Sequence, residues 1–212
     1  MKRYLLISAL SALAFSMHTS AHAQLHVSAF GSKDTASGDR NPCGIPGAQC
    51  DSDTMGRSIR LGYYTSFDNL APSLDVHGRS SIDLTYTSYG KLTTKGNFGA
   101  SPFGRIDEWT NDLESMSLGT TYELPLYGRL SLLSRIGFSW FRAKEFFSYN
   151  SSGNGFQSSA RNESHPYFAL GLSYRLNQRV SFSGDYMATK APYSGRSERD
   201  LRILSGGASY SF

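Results

Sequence analysis

The feature that most limits this chain is an alternation of period two that returns in eight separate runs and reaches the last residue, Phe212. In the final run Leu204, Gly206, Ala208, Tyr210 and Phe212 share one parity, and Ser205, Gly207, Ser209 and Ser211 share the other. Successive strand side chains point to opposite faces, so this run predicts a strand with one apolar and one small-polar face. Earlier runs at 25–30, 59–67, 82–87, 115–124, 130–140, 168–176 and 180–189 divide in the same way. The breaks at 32–56, 91–111, 148–165 and 193–200 are longer than the alternating turns at 125–129 and 177–179. The first turn, 68–78 with Pro72 inside, is longer than a hairpin needs. Eight strands joined alternately by long and short connections predict an all-β, antiparallel, up-and-down sheet.

The composition of the two faces decides how such a sheet closes. A soluble sandwich buries its apolar face and carries Lys, Glu and Thr outside. Here the second face is Ser, Gly, Thr and Ala with isolated charges, which suits the inside of a narrow barrel whose apolar face meets lipid. Aromatics gather toward the short turns, at Tyr63, Phe67, Tyr122, Tyr127, Tyr174, Tyr210 and Phe212, as an interfacial girdle requires. The expected fold is an eight-stranded transmembrane β-barrel with long extracellular loops and short periplasmic turns. Such strands hide their hydrophobicity in every second residue, so a low mean hydropathy is compatible with a membrane.

The N-terminus supports export. Lys2 and Arg3 precede an apolar stretch at 4–15, and Ala21-His22-Ala23 offers a cleavage site. The apolar stretch is too short for a membrane helix, which needs ~20 residues. Residues 1–23 are therefore expected to be a cleaved signal and residues 24–212 the barrel domain, with Gln24 first. No cysteine follows the cleavage site, which argues against a lipid anchor. The formal charge of +4 includes two units from Lys2 and Arg3, too little for nucleic-acid binding. Cys43 and Cys50 share one Gly/Pro/Asp-rich break, where an exported protein predicts a loop-stapling disulfide. Metal binding is the alternative, but the segment holds no histidine.

The segments YFALGLSYRLN (167–177), VSFSGDYMATK (180–190) and GGASYSF (206–212) resemble those of the small eight-stranded outer-membrane barrels: the OmpA transmembrane domain, OmpX and the opacity-type surface proteins. The resemblance implies a monomer in the bacterial outer membrane, with Tyr210 and Phe212 as the insertion signal met by the barrel assembly machinery. It departs from full-length OmpA in having no peptidoglycan-binding domain after the barrel. Gly206 and Ala208 are also smaller than the residues usual in that family's last strand.

Six charges fall on the inward face: Arg60, Asp83, Glu123, Arg135, Arg175 and Asp185. Enclosed charges must be paired, so three of each sign predict an ion network. Strand heights suggest two layers, Glu123 with Arg175 near the short turns and the other four above. The network is expected to plug the lumen, with a gated ion path as its functional alternative. Lipid A deacylases resemble a pattern of histidine two residues before serine on a lipid-facing strand. In the chain from Gln24 onward only His26-Val27-Ser28 has that spacing, and both polar members are expected inside. His77 and His165 are expected at solvated loop edges. The sequons at Asn150 and Asn162 read as chance. Arg161, Arg196, Arg199, Arg202, Lys91 and Lys95 are expected in loops, where they either meet lipopolysaccharide phosphates or only solubilise. The reading is a structural or surface-interaction protein without catalytic residues, cofactor or metal. It is surrounded by outer-membrane lipids and lipopolysaccharide, and its extracellular ligand is unspecified. The alternatives are a lipid A-modifying enzyme and a small passive pore.

Overall fold

The computed structural model describes residues 24–37, 49–50, 53–67, 78–95, 100–101, 104–149, 155–157, 160–192 and 198–212. Eight long strands form the wall: β1 (Gln24–Ser37), β3 (Asp53–Phe67), β4 (Gly78–Lys95), β6 (Gly104–Tyr127), β7 (Leu130–Tyr149), β9 (Arg161–Arg175), β10 (Val180–Pro192) and β11 (Glu198–Ser211). Each pairs antiparallel with its chain neighbours, and β11 pairs back onto β1, so the sheet closes. The expected eight-stranded barrel is the observed one. Three short strands, β2 (Gln49–Cys50), β5 (Ala100–Ser101) and β8 (Gly155–Gln157), pair with β4, β6 and β7 beyond its long-loop end.

The short turns follow local chemistry. Gly128 takes a φ of 55° in the two-residue link between Tyr127 and Leu130, a conformation that favours glycine. Asn177 Oδ1 accepts the backbone N–H groups of Arg179 and Val180, both at 2.8 Å, and fixes the β9–β10 turn. At the seam the Phe212 N–H donates to the Leu25 carbonyl at 3.0 Å, so pairing runs to the end of the chain. Leu204, Gly206, Ala208, Tyr210 and Phe212 face outward as the alternation requires. Tyr210 and Phe212 meet edge to face, with ring centroids 5.0 Å apart.

The strands are longer than the alternation predicts. β6 has 24 residues and β7 has 20, whereas a spanning strand needs ~9–11. Much of what reads as loop at 91–111 and 148–165 is therefore strand projecting past the membrane. Above the apolar belt the pattern inverts: Phe141 and Ala143 point inward while Arg142 and Lys144 point out. Outside is now water, and the inside still needs a core. A bulge adds to the break. Tyr89 and Gly90, with φ 81° at Gly90, together oppose the single residue Leu113, which ends the simple alternation of β4.

Opposite charges face one another on this projecting sheet. Asp112 lies opposite both Lys91 and Lys144, and Glu114 lies opposite Arg142. Arg161, Arg199, Arg202, Lys91 and Lys95 are thus strand residues, not loop residues. Asn162 is on β9 as well. Residues 1–23, Cys43, the turn 68–77, His77, Asn150 and Arg196 lie outside the described residues.

Candidate functional site in the barrel lumen

The inward side chains stack in layers from the short turns to the outer mouth. Nearest the short turns, Glu123 receives Arg79 Nη2 at 2.7 Å and Arg175 Nη2 at 3.4 Å. The Arg79 guanidinium also lies 4.7 Å from the centroid of Tyr64, whose ring packs against His26 at 4.2 Å. Next comes Asp83, which pairs with His26 Nε2 at 3.3 Å and accepts hydroxyls from Ser81 and Thr121. Gly62 makes this layer possible, because a Cβ there would overlap both the His26 ring and the Asp83 carboxylate.

Above it, one carboxylate serves two arginines. Asp185 Oδ2 lies 2.7 Å from Arg135 Nη1 and 3.4 Å from Arg60 Nη2, and Oδ1 accepts the Ser205 hydroxyl. Arg60 stacks 4.3 Å above Phe30, and Arg135 lies 5.7 Å from the Tyr167 ring. Tyr167 itself lies across Gly119 and Gly137, either of which would collide with it if it carried a Cβ. Side-chain exposure is 3% for Asp185, 7% for Arg60 and 6% for Arg135. Arg79 and Arg175 keep 32% and 43%.

A cavity of about 20 Å³ adjoins this layer, lined by Ser32, Arg60, Ser117, Asp185 and Met187 among others. That volume holds about one water molecule. Beyond it toward the mouth the lumen turns apolar, filled by Tyr89, Phe141, Met187, Ala191, Leu201 and Ile203. The Tyr89 and Phe141 rings stack at 5.9 Å, and the Tyr89 hydroxyl shares a 2.9 Å hydrogen bond with Ser115. At the mouth, Glu163 pairs with Arg161 and, at 3.2 Å, with His165 Nε2. Lys190 holds Glu198 at 3.4 Å. His165 is thus an inward strand residue beside Phe141, not a solvated loop residue. Glu163, His165 and Glu198 bring ligand-type atoms within 4.8 Å of one another, but Arg161 and Lys190 already balance both carboxylates.

All six charges singled out in the sequence point into the lumen, but they group differently from the two expected layers. Asp83 stands apart from the Arg60–Asp185–Arg135 group and pairs with His26. Arg79, which the alternating run beginning at 82 leaves out, joins Glu123. Among the described residues, the charged pairs lie below a constriction filled mainly by Tyr89, Phe141, Leu201 and Ile203. His26 and Ser28 are 3% and 1% exposed inside the wall. Their polar atoms do not reach the lipid face.

A closed up-and-down barrel with an apolar outer belt and a filled polar interior defines the class: a transmembrane β-barrel of the bacterial outer membrane. Residues 5–212 match the model of the outer membrane protein beta-barrel domain, and the chain belongs to that family. The fold is similar to that of Neisserial surface protein A (15% identity, 90% of this chain and 99% of that one, TM-score 0.52). It is also similar to OprG of Pseudomonas aeruginosa (14% identity, 91% and 96%, TM-score 0.50). The attachment invasion locus protein Ail of Yersinia pestis matches at 15% identity over 90% and 97%, with a TM-score of 0.47. No curated protein sequence matches it.

Proposed function

We propose that this barrel is a monomeric, non-conducting surface protein, with its lumen as a structural plug and its outer hairpins as the interacting part. The observation that carries this reading is the division of the strands. Their membrane-spanning parts enclose paired charges under an apolar layer, while β6 and β7 continue far into the medium. Recognition residues concentrate on such projections, positioned by a rigid scaffold. The reading assigns no catalytic role. His26 and Ser28 are enclosed, so the one deacylase-like spacing has no access to an acyl chain. The same reading has residues 1–23 removed on export, Cys43 bonded to Cys50, and Tyr210 with Phe212 presented to the assembly machinery.

Cells carrying the intact chain are to be compared with cells whose β6 and β7 are cut back to their spanning parts and rejoined by a tight turn. The shortened barrel should fold, and cell adherence to host-type or abiotic surfaces, or the envelope's detergent barrier, should fall. Equal phenotypes from both chains would overturn the reading. So would a change in lipid A mass that the intact chain causes and His26→Ala abolishes.

A further inference from the structure

We propose that a lipid-facing recess near the short turns, on the face formed by β7, β9, β10 and β11, holds one glycerophospholipid of the inner leaflet. Its phosphate would sit between Arg129 and Arg179 and an acyl chain in the recess. This rests on the placement in the membrane and not on any role of the outer hairpins, so the two stand or fall separately.

The recess follows from register. Leu130, Tyr174, Phe182 and Ala208 lie directly opposite one another across the four strands, on the outward face. The next row toward the midplane is Leu132, Leu172, Gly184, Gly206 and, on β1, Gly31. The outer surface therefore drops from large side chains to bare backbone at Gly184. A Cβ built at Gly31 or Gly206 meets nothing within 4 Å, and one at Gly184 meets only the Ser205 carbonyl at 3.5 Å, so close packing within the protein does not call for these glycines. A strand glycine often marks a close approach by another group. The resulting depression has a volume of about 580 Å³ between Leu130, Leu172, Tyr174, Phe182, Gly184 and Ala208.

Its depth suits one leaflet. Gly184 is five residues beyond Arg179 in the chain, about 17 Å at ~3.4 Å per residue. A strand tilt of ~40° reduces this to a depth of about 13 Å, close to half of the ~30 Å hydrocarbon core. An acyl chain that starts from a headgroup at the short-turn rim thus runs along the recess toward the midplane.

Two guanidiniums are fixed at that rim. Arg129 Nη1 donates to the Leu176 carbonyl at 2.9 Å, and Arg179 Nη1 donates to the Tyr210 hydroxyl at 3.5 Å. The Leu176 N–H donates to the Val180 carbonyl, and Val180 lies opposite Tyr210, so the two anchors are two strand spacings apart. At ~4.8 Å per spacing this is about 10 Å, which lets one phosphate take a guanidinium on either side. Both arginines are exposed, and among the described residues neither has an acidic partner. Glu123, the described acidic side chain nearest the short turns, lies in the lumen and is committed to Arg79 and Arg175. The Phe212 carboxylate pairs with neither rim arginine. Two such cations beside an acyl-deep recess complement a phosphodiester lipid. They oppose a second copy of the chain, which would bring its own two arginines to the same height.

The barrel purified in mild detergent and offered phosphatidylglycerol, phosphatidylethanolamine or diacylglycerol tests this. Retained lipid is counted by native mass spectrometry, and folding is checked by heat-dependent gel mobility. The intact barrel should keep one molecule of either phospholipid and release the diacylglycerol. Arg129→Gln with Arg179→Gln should weaken phospholipid retention roughly fivefold per charge. Arg57→Gln with Arg202→Gln, at the opposite rim, should leave it unchanged. Gly184→Leu, which fills the recess, should weaken it with folding intact; Ala208→Leu, on the same floor, serves if Gly184→Leu does not fold. Equal retention of diacylglycerol overturns the proposal, as does unchanged retention in the variant lacking Arg129 and Arg179 or in the folded recess variant. An equal loss from the opposite rim also overturns it. A dimer that Gly184→Leu dissolves overturns it in favour of a second copy.

Discussion

Asp185→Asn should be far more damaging than Glu123→Gln, although each removes one carboxylate that serves two arginines. Asp185 and both its partners are almost wholly enclosed, at 3%, 7% and 6% exposure. Removing the charge leaves two guanidiniums in a space that offers about one water molecule. Breaking a buried pair by deleting one member costs about 3–5 kcal/mol. The partners of Glu123 are 32% and 43% exposed and can turn toward the periplasm, so that loss should be about 1 kcal/mol, as for surface pairs. Reversible urea unfolding in lipid vesicles, followed by tryptophan emission, reads both values. The triple variant Arg60→Met, Arg135→Met, Asp185→Leu should recover most of the loss, because the uncompensated charge is gone. Equal costs for Asp185→Asn and Glu123→Gln, or a triple variant as weak as Asp185→Asn alone, would refute the reasoning.

Three other outcomes follow from close packing and placement. Gly119→Ala should cost about 1–3 kcal/mol through overlap with the Tyr167 hydroxyl, and Tyr167→Phe in the same chain should return part of it; Gly31→Ala, facing open space, should be near neutral. Trp140, exposed at the outer edge of the belt, should be quenched by lipids brominated on the acyl chain when Trp109 is replaced by Phe. The mass of the exported chain should match a start at Gln24, and thiol alkylation should label Cys43 and Cys50 only after reduction.

Wherever lipid lies outside, the barrel is legible in its sequence. Lipid demands apolar residues at every second position, so Ile59, Leu61, Met116, Leu118, Phe168 and Leu170 mark their strands and faces without ambiguity. The signal fails where the outer solvent changes. At Phe141 and Arg142, and at Ile203 and Arg202, the apolar side chain points in and the charged one out, so the rule that finds the belt ends the strand too early. The apolar layer around Tyr89 and Phe141 was hidden for that reason, and the bulge at Gly90 hid it further. Parity places Arg60, Asp83, Glu123, Arg135, Arg175 and Asp185 in the lumen. Their partners depend on strand stagger, which a list of alternating residues does not carry. Hence Asp83 meets His26 instead of an arginine. Arg79 sits just outside the run that begins at Ile82, yet it makes the shortest contact to Glu123. The glycine row on the outer face reads in sequence only as three isolated small residues, and register alone brings Gly31, Gly184 and Gly206 together.

Conductance across a planar bilayer tests the sealed lumen most directly. Purified barrel, shown to be inserted by protection from protease, should give no sustained current steps. Replacing Phe141 and Tyr89 with serine should introduce small ones by wetting the constriction. Steady ohmic channels from the unaltered chain would contradict the account, because paired charges below an apolar layer leave no path for ions.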